Sequence, residues 1–166
     1  MKNLSTAGLK TVFRILLLGL LLICLDVAAG TMPDDIMTPG EVRLGLDIKT
    51  ICSTKWGLDK RFVTSAMKTR VFHNYGFTGY KDLKCIPDKN GKTCEIDHKI
   101  PRALGGADSI KNIWPQPFGG EWNAHDKDRL EVRLHSRVCR TKDMTLQQAR
   151  TCISKNWIKC YKEQFK

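Results

Sequence analysis

Six cysteines constrain this chain more than any other feature, because they follow an N-terminal stretch built like an export signal. Lys2, Lys10 and Arg14 precede an apolar run over residues 15–25, and Val27-Ala28-Ala29 then offers the small side chains a signal peptidase accepts. The run is short for a membrane-spanning helix, and the bulky Ile23 before Cys24 argues against a lipoprotein cysteine. Residues 1–29 therefore read as a signal peptide cleaved near Ala29, which carries Cys24 away with it. Cys52, Cys85, Cys94, Cys139, Cys152 and Cys160 remain. An even number of cysteines behind such a signal predicts disulfides and a secreted or periplasmic protein with no stable membrane association after cleavage.

Spacing narrows the pairing without fixing it. Cys85 and Cys94 flank Asp88-Lys89-Asn90-Gly91, and Asn-Gly is a strong tight-turn signal, so a bridge across a hairpin fits there. Cys152 and Cys160 lie in a helix-like segment. A continuous helix would hold them ~12 Å apart, too far to bridge, so they have other partners or the helix breaks between them. No CxxC pair or His-x-His cluster suggests a structural zinc site.

Losing the signal also sharpens the charge. Removing Lys2, Lys10, Arg14 and Asp26 leaves 25 basic and 16 acidic residues, a formal charge of about +9 on roughly 137 residues. That length supports one domain with a real core. Such a charge favours polyanions: nucleic acid, anionic lipid or acidic polysaccharide. Charge alone does not choose among them.

Residues 30–57, with Gly30, Pro33, Pro39 and Gly40, read as a loose N-terminal arm, and residues 58–166 as one domain. Over 58–75, Phe62, Val63, Ala66, Met67, Val71 and Phe72 recur at helical spacing, with Asp59 as an N-cap candidate. Residues 83–86 and 93–96 change to a strand pattern around the Asn-Gly turn, and Pro101 ends the second strand near Ile100. Residues 110–114 give another strand, stopped by Pro115 and Pro117. A long helix over about 121–140 follows Gly119-Gly120, and a second starts at Thr145 with Leu146, Ala149, Ile153, Trp157, Ile158 and Tyr161 on its core face. The fold class is α+β.

The chemistry concentrates in residues 95–128. Hydrolysing a phosphodiester calls for a cation to neutralise charge on the phosphoryl and leaving oxygens, and for a base to deprotonate water. Hard cations prefer carboxylate and amide oxygens, histidine serves other divalent metals, and a neutral imidazole is a fitting base near neutral pH. Asp97-His98 supplies both types side by side. Adjacent side chains of a strand point to opposite faces, so the two share one site only where the strand ends, and Pro101 predicts such an ending. Glu95, two before Asp97 on the same strand face, is either an outer partner of the site or a surface charge. Lys127 and Arg129 are either phosphate contacts or the solvated face of the helix. His135 is too far along that helix from His125 to bind the same ion. His73, Trp114, Trp122 and Trp157 read as structural residues.

Taken in order, Asp97-His98-x-Ile100-Pro101, Leu104-Gly105-Gly106, Asn112-Ile113-Trp114-Pro115-Gln116 and Asn123-Ala124-His125-x-Lys127-Asp128 resemble the HNH nucleases. The closest likeness is to a secreted bacterial or phage-like branch with an Asp-His motif. It is dense over 94–131 and looser over 38–166. It implies a ββα-metal finger over about 94–135, flanked by N- and C-terminal helices and stabilised by disulfides. It further implies Asp97 as a metal ligand, His98 as general base and Asn112 as the residue bridging the loop that holds His98. The last ligand is Asn123 or His125. The implied cofactor is one divalent ion, Mg²⁺ first, with Mn²⁺, Ni²⁺ or Zn²⁺ as alternatives. The implied activity is a DNA endonuclease, with RNA as a further substrate, leaving 5′-phosphates. Arg102, Lys111, Lys127 and Arg129 are the basic residues placed to hold a backbone without reading bases, so low sequence specificity is expected. Two rivals stand beside this reading. One is a non-catalytic secreted binder of nucleic acid or another polyanion on the same scaffold, which has no need for a base beside a metal ligand. The other is a toxin directed at a competitor's DNA.

Overall fold

The computed structural model describes residues 30–79 and 85–166. The signal-peptide reading of residues 1–29 and most of the strand expected at 83–86 lie outside them. The rest is a mixed α+β fold with three disulfides: Cys52–Cys139, Cys85–Cys94 and Cys152–Cys160. Its elements are α1 (Ile48–Ser53), α2 (Ser65–Asn74), β1 (Cys94–His98), a 3₁₀ turn (Arg102–Leu104), β2 (Ile113–Pro117), α3 (Ala124–Ser136), a wide π turn (Arg137–Thr141) and α4 (Leu146–Gln164).

β1 and β2 form an antiparallel pair in which Glu95 faces Gln116, Asp97 faces Trp114 and His98 faces Ile113. Two expectations fail here. The Asn-Gly turn does not join the sheet's two strands: Cys85 and its described neighbours are not in a strand, and the Cys85–Cys94 bridge closes a loop beside the sheet. Nor do the prolines stop β2. Pro115 and Pro117 are two apart, so their nitrogens point to the same edge. The ladder side is supplied by alternate residues, as shown just beyond each strand end, where Lys99 N–H donates to Asn112 O (2.7 Å) and Phe118 N–H to Thr93 O (2.9 Å). The proline edge is covered by the N-terminal segment, through Gly40 N–H to Lys111 O (2.8 Å) and the Thr38 hydroxyl to Ile113 O (3.4 Å). β2 is therefore buried along its whole length.

The arm expected to be loose is thus part of the fold. Thr38 and Ile51 are fully buried, Cys52 is bridged to the π turn, and the Trp157 indole donates to Thr31 O at 2.7 Å. One core gathers Val71 and Phe72 of α2, and Tyr75 at its C-cap, against Ile96, Ile113 and Trp114 of the sheet. A second gathers Leu130 and Leu134 of α3 against Ala149, Ile153 and Trp157 of α4, with Leu104 from the 3₁₀ turn.

The helices are shorter than the apolar periodicity predicts. α2 starts at Ser65, capped by Thr64 rather than Asp59, because Asp59 is engaged by Arg102 instead. α3 covers 124–136 and then widens into the π turn. α4 starts at the Thr145 cap as its sequence predicts, but Asn156 is extended (φ −162°, ψ 95°). That break brings Cys152 and Cys160 to a Cα separation of 5.3 Å, so they bridge each other.

Candidate active site

Asp97 and His98 are the last two residues of β1, and both line one cleft of about 230 Å³ with Trp56, Asp59, Arg61, Arg102 and Glu131. The end of the strand allows two neighbours to face one space, as the alternation argument required. The turn beyond the strand is fixed by Asn112. Its buried carboxamide accepts from Ile100 N–H (3.0 Å) and Glu41 N–H (3.3 Å), and donates to Ile100 O and Ala107 O (both 3.0 Å). Gly106 lets that loop close: a Cβ there would lie 1.7 Å from Ile100 O.

His98 is buried, and its Nε2 lies 2.7 Å from Oδ1 of Asp108. Asp108 also accepts Phe62 N–H at 2.7 Å through Oδ2 and faces Arg102 Nε at 3.4 Å. Burial disfavours the charged imidazole and outweighs the pull of Asp97 and Asp108, so the His98 pKa is held below the usual value. A neutral ring against a carboxylate donates from Nε2, which leaves Nδ1 as the basic nitrogen.

Behind Asp97 lies a fully buried lysine. Lys127 Nζ, from the first turn of α3, bonds Asp97 Oδ2 (2.5 Å), His98 O (2.7 Å) and Glu131 Oε1 (2.5 Å). Burial opposes its charge, but Asp97 and Glu131 together outweigh that and hold its pKa above the ordinary lysine value. Glu95 and Asp128 add further negative charge. Burial, then Asp97 and Asp128, push the Glu95 carboxyl up to about 7. Burial and the same acidic surroundings push Glu131 up to about 8 despite Lys127. Two carboxylates thus bond one ammonium, and Glu95 and Asp128 lie near enough to feel its charge.

The other residues singled out from the sequence fall elsewhere. Asn123 is the N-cap of α3, accepting from His125 N–H (3.0 Å) and Asp126 N–H (3.4 Å) and donating to Gly120 O. The His125 ring is turned to Asp88 (3.3 Å), where it clips the loop of residues 85–94 to the helix. Neither hydrogen-bonds to Asp97, and neither lines the cleft. Arg102 lines the cleft, whereas Lys111 is exposed on the loop before β2. Arg129 stacks over Tyr161 of α4 and over Phe165 at its C-cap, and Lys127 is interior rather than on a solvated face. His135 meets Cys139 Sγ at 3.4 Å, and His73 is exposed rather than set among apolar residues. Trp114 and Trp157 are core residues.

Sequence reasoning missed Glu131, Asp108 and Arg61. For Glu131 a signal existed: it lies four residues after Lys127 and so on the same helix face. Asp108 follows the Gly-Gly loop closely, but nothing local shows that the loop folds back onto His98.

Among the described residues no three His, Cys, Asp or Glu side chains gather into a metal cage. The donor set still suits a hard cation, which keeps several waters and takes one or two carboxylates plus substrate phosphate. Asp97 and Glu131 both face the cleft. On the sheet face that Asp97 shares, buried Gln116 stands opposite Glu95 with both amide atoms without a protein partner. Larger hollows lie along α4 and beside α1, and neither is lined by Asp97 or His98. Comparison with protein-family models, with curated proteins and with solved structures found no match.

Proposed function

We propose that this chain is a secreted, metal-dependent endonuclease of HNH type that hydrolyses DNA backbones with little sequence preference. The observation that carries the reading is the end of β1. There His98, oriented by Asp108, shares one cleft with three carboxylates, Asp59, Asp97 and Glu131, and two arginines.

Asp97 and Glu131 would hold one divalent ion, Mg²⁺ on the chemistry of its oxygen donors. Bound there, it supplies positive charge to the phosphoryl and leaving oxygens. Arg61 and Arg102 line the same cleft and attract the phosphate diester. His98 takes the proton from the attacking water at Nδ1 while Asp108 holds the ring through Nε2. Asp108 is a positioning residue: it stabilises the imidazolium as it forms. Asn112 keeps the loop that presents both groups. The metal roles weighed for Asn123 and His125 pass to Glu131 in this reading, and their contacts give them structural work at the start of α3. The three disulfides fit an oxidising compartment, and among the described residues no helix is long and apolar enough to cross a membrane.

The test is plasmid nicking by purified, oxidised protein with Mg²⁺ or Mn²⁺, with and without EDTA, beside His98→Ala. Cleavage that needs the metal and disappears in His98→Ala is expected. Absence of cleavage with every divalent ion, or equal cleavage by the variant, overturns the proposal.

A further inference from the structure

We infer that Lys127 is a built-in cation that clamps β1 to α3, so that the fold closes without metal and a divalent ion binds in addition to the ammonium, from the opposite side of the same carboxylates. The inference takes Asp97 and Glu131 as the ion's ligands, as proposed above.

The geometry carries it. A lysine ammonium has three donors, and all three are used within the protein: two reach β1, at Asp97 Oδ2 and His98 O, and the third returns to Glu131 on α3. The side chain is only 1 % exposed. Burying a charge so completely is tolerated only when it is paired and hydrogen-bonded, as here. Strand end and helix are therefore tied by a cation that is covalently part of the chain and present in any buffer. Lys127 is not among the residues lining the cleft, whereas Asp97 and Glu131 are. The ammonium approaches the carboxylates from the interior, and the cleft side stays accessible to an ion. Nζ engages one oxygen of each carboxylate, and with Glu95 and Asp128 nearby, one positive charge faces four acids. An ion entering from the cleft meets the remaining oxygen of Asp97 and of Glu131, ligands already shared with Lys127, with Arg61 and Arg102 lining the same space. Modest affinity follows, with full activity requiring free metal in solution rather than a captured ion.

Thermal unfolding of the oxidised protein tests this without any substrate. Wild-type protein in EDTA should melt within about 5 °C of its midpoint in millimolar Mg²⁺ or Ca²⁺, because weak site occupancy adds little stability. Lys127→Met keeps the side-chain bulk and leaves the carboxylates uncompensated. It should melt far lower in EDTA and regain more than about 10 °C with the divalent ion. A wild-type protein that collapses in EDTA overturns the inference. So does a variant that is equally stable, or equally unfolded, in both buffers. Melting and nicking fail independently: a protein that cuts no DNA but shows the widened gap keeps the clamp and loses the nuclease, and the reverse outcome separates them the other way.

Discussion

At the scale of single residues, the cleft depends on side chains held by partners far away in sequence. Asp108 is ten residues from His98, and its carboxylate decides which ring nitrogen is the base. Asp108→Asn keeps an oxygen that can accept from Nε2, whereas Asp108→Ala removes it. The alanine variant should lose about 100-fold in kcat, and the asparagine variant clearly less; KM should rise only a few-fold in the alanine variant, which also loses the bond to Phe62 N–H, and a rise in KM with kcat unchanged would show that Asp108 serves binding instead. The low pKa of His98 sets a second expectation. Burial keeps the ring neutral, so as pH falls the base survives past the usual imidazole value of about 6.5. The acid limb of kcat/KM should lie below that value, and a limb above it would remove His98 from the role of base. Asn112 makes four hydrogen bonds while fully buried. Asn112→Ala should cost about 3 kcal/mol in urea unfolding, since it orphans the backbone groups it serves. Asp97, His98 and Asn112 were legible because each sits in a local pattern: a strand end before proline, and an amide after a Gly-Gly loop. Glu131 and Lys127 share a helix face by their spacing, but nothing in one dimension shows that α3 turns that face to β1. Read locally, Lys127 is a phosphate contact or a solvated residue, because an interior ammonium needs partners, Asp97 and Glu131, that only the fold brings together.

At the scale of elements, local pattern sets element type more firmly than boundaries or partners. The pattern around the Asn-Gly turn reads locally as a hairpin, yet β1 takes β2 as its partner. The reason is register and cover: β2 can be fully buried because its proline edge is closed by the arm, a contact between residues about 70 apart that no local rule anticipates. The break in α4 is similar. Geometry said that a bridge between Cys152 and Cys160 needs a broken helix, and Asn156 supplies the break. Helix and disulfide therefore oppose each other within that segment. Replacing both cysteines by serine should let residues 152–160 regain helical geometry while the protein loses about 2–3 kcal/mol, the loop-entropy value for so short a ring. Circular dichroism reads the first effect and denaturant unfolding the second. A loss of stability with no gain in helicity would mean that packing of Trp157, not the disulfide, holds the kink.

At the scale of the molecule, the arm and the disulfides decide whether the cleft has two walls. Asp97, His98 and Glu131 come from the sheet and α3, but Trp56, Asp59 and Arg61 come from the segment after α1. That segment is fastened at one end by Cys52–Cys139, which spans 87 residues, and at the other by Arg102 gripping Asp59 and by Phe62 N–H on Asp108. A cross-link over so long a loop removes more entropy from the unfolded chain than the short rings do, about 4–5 kcal/mol against 2–3. Cys52→Ser with Cys139→Ser should therefore be about 2 kcal/mol more destabilising than the Cys152/Cys160 pair in matched urea titrations. The functional loss should be of a particular kind. With one fastening gone, Arg61 is less firmly held against the cleft, while Asp97, His98 and Asp108 keep every contact they make with one another. At temperatures where the variant is still folded, KM for DNA should rise several-fold and steepen in its dependence on temperature, with kcat changed less. An unchanged KM in the folded variant would show that Arg102 and Asp108 suffice to hold the second wall, and that Cys52–Cys139 serves stability alone.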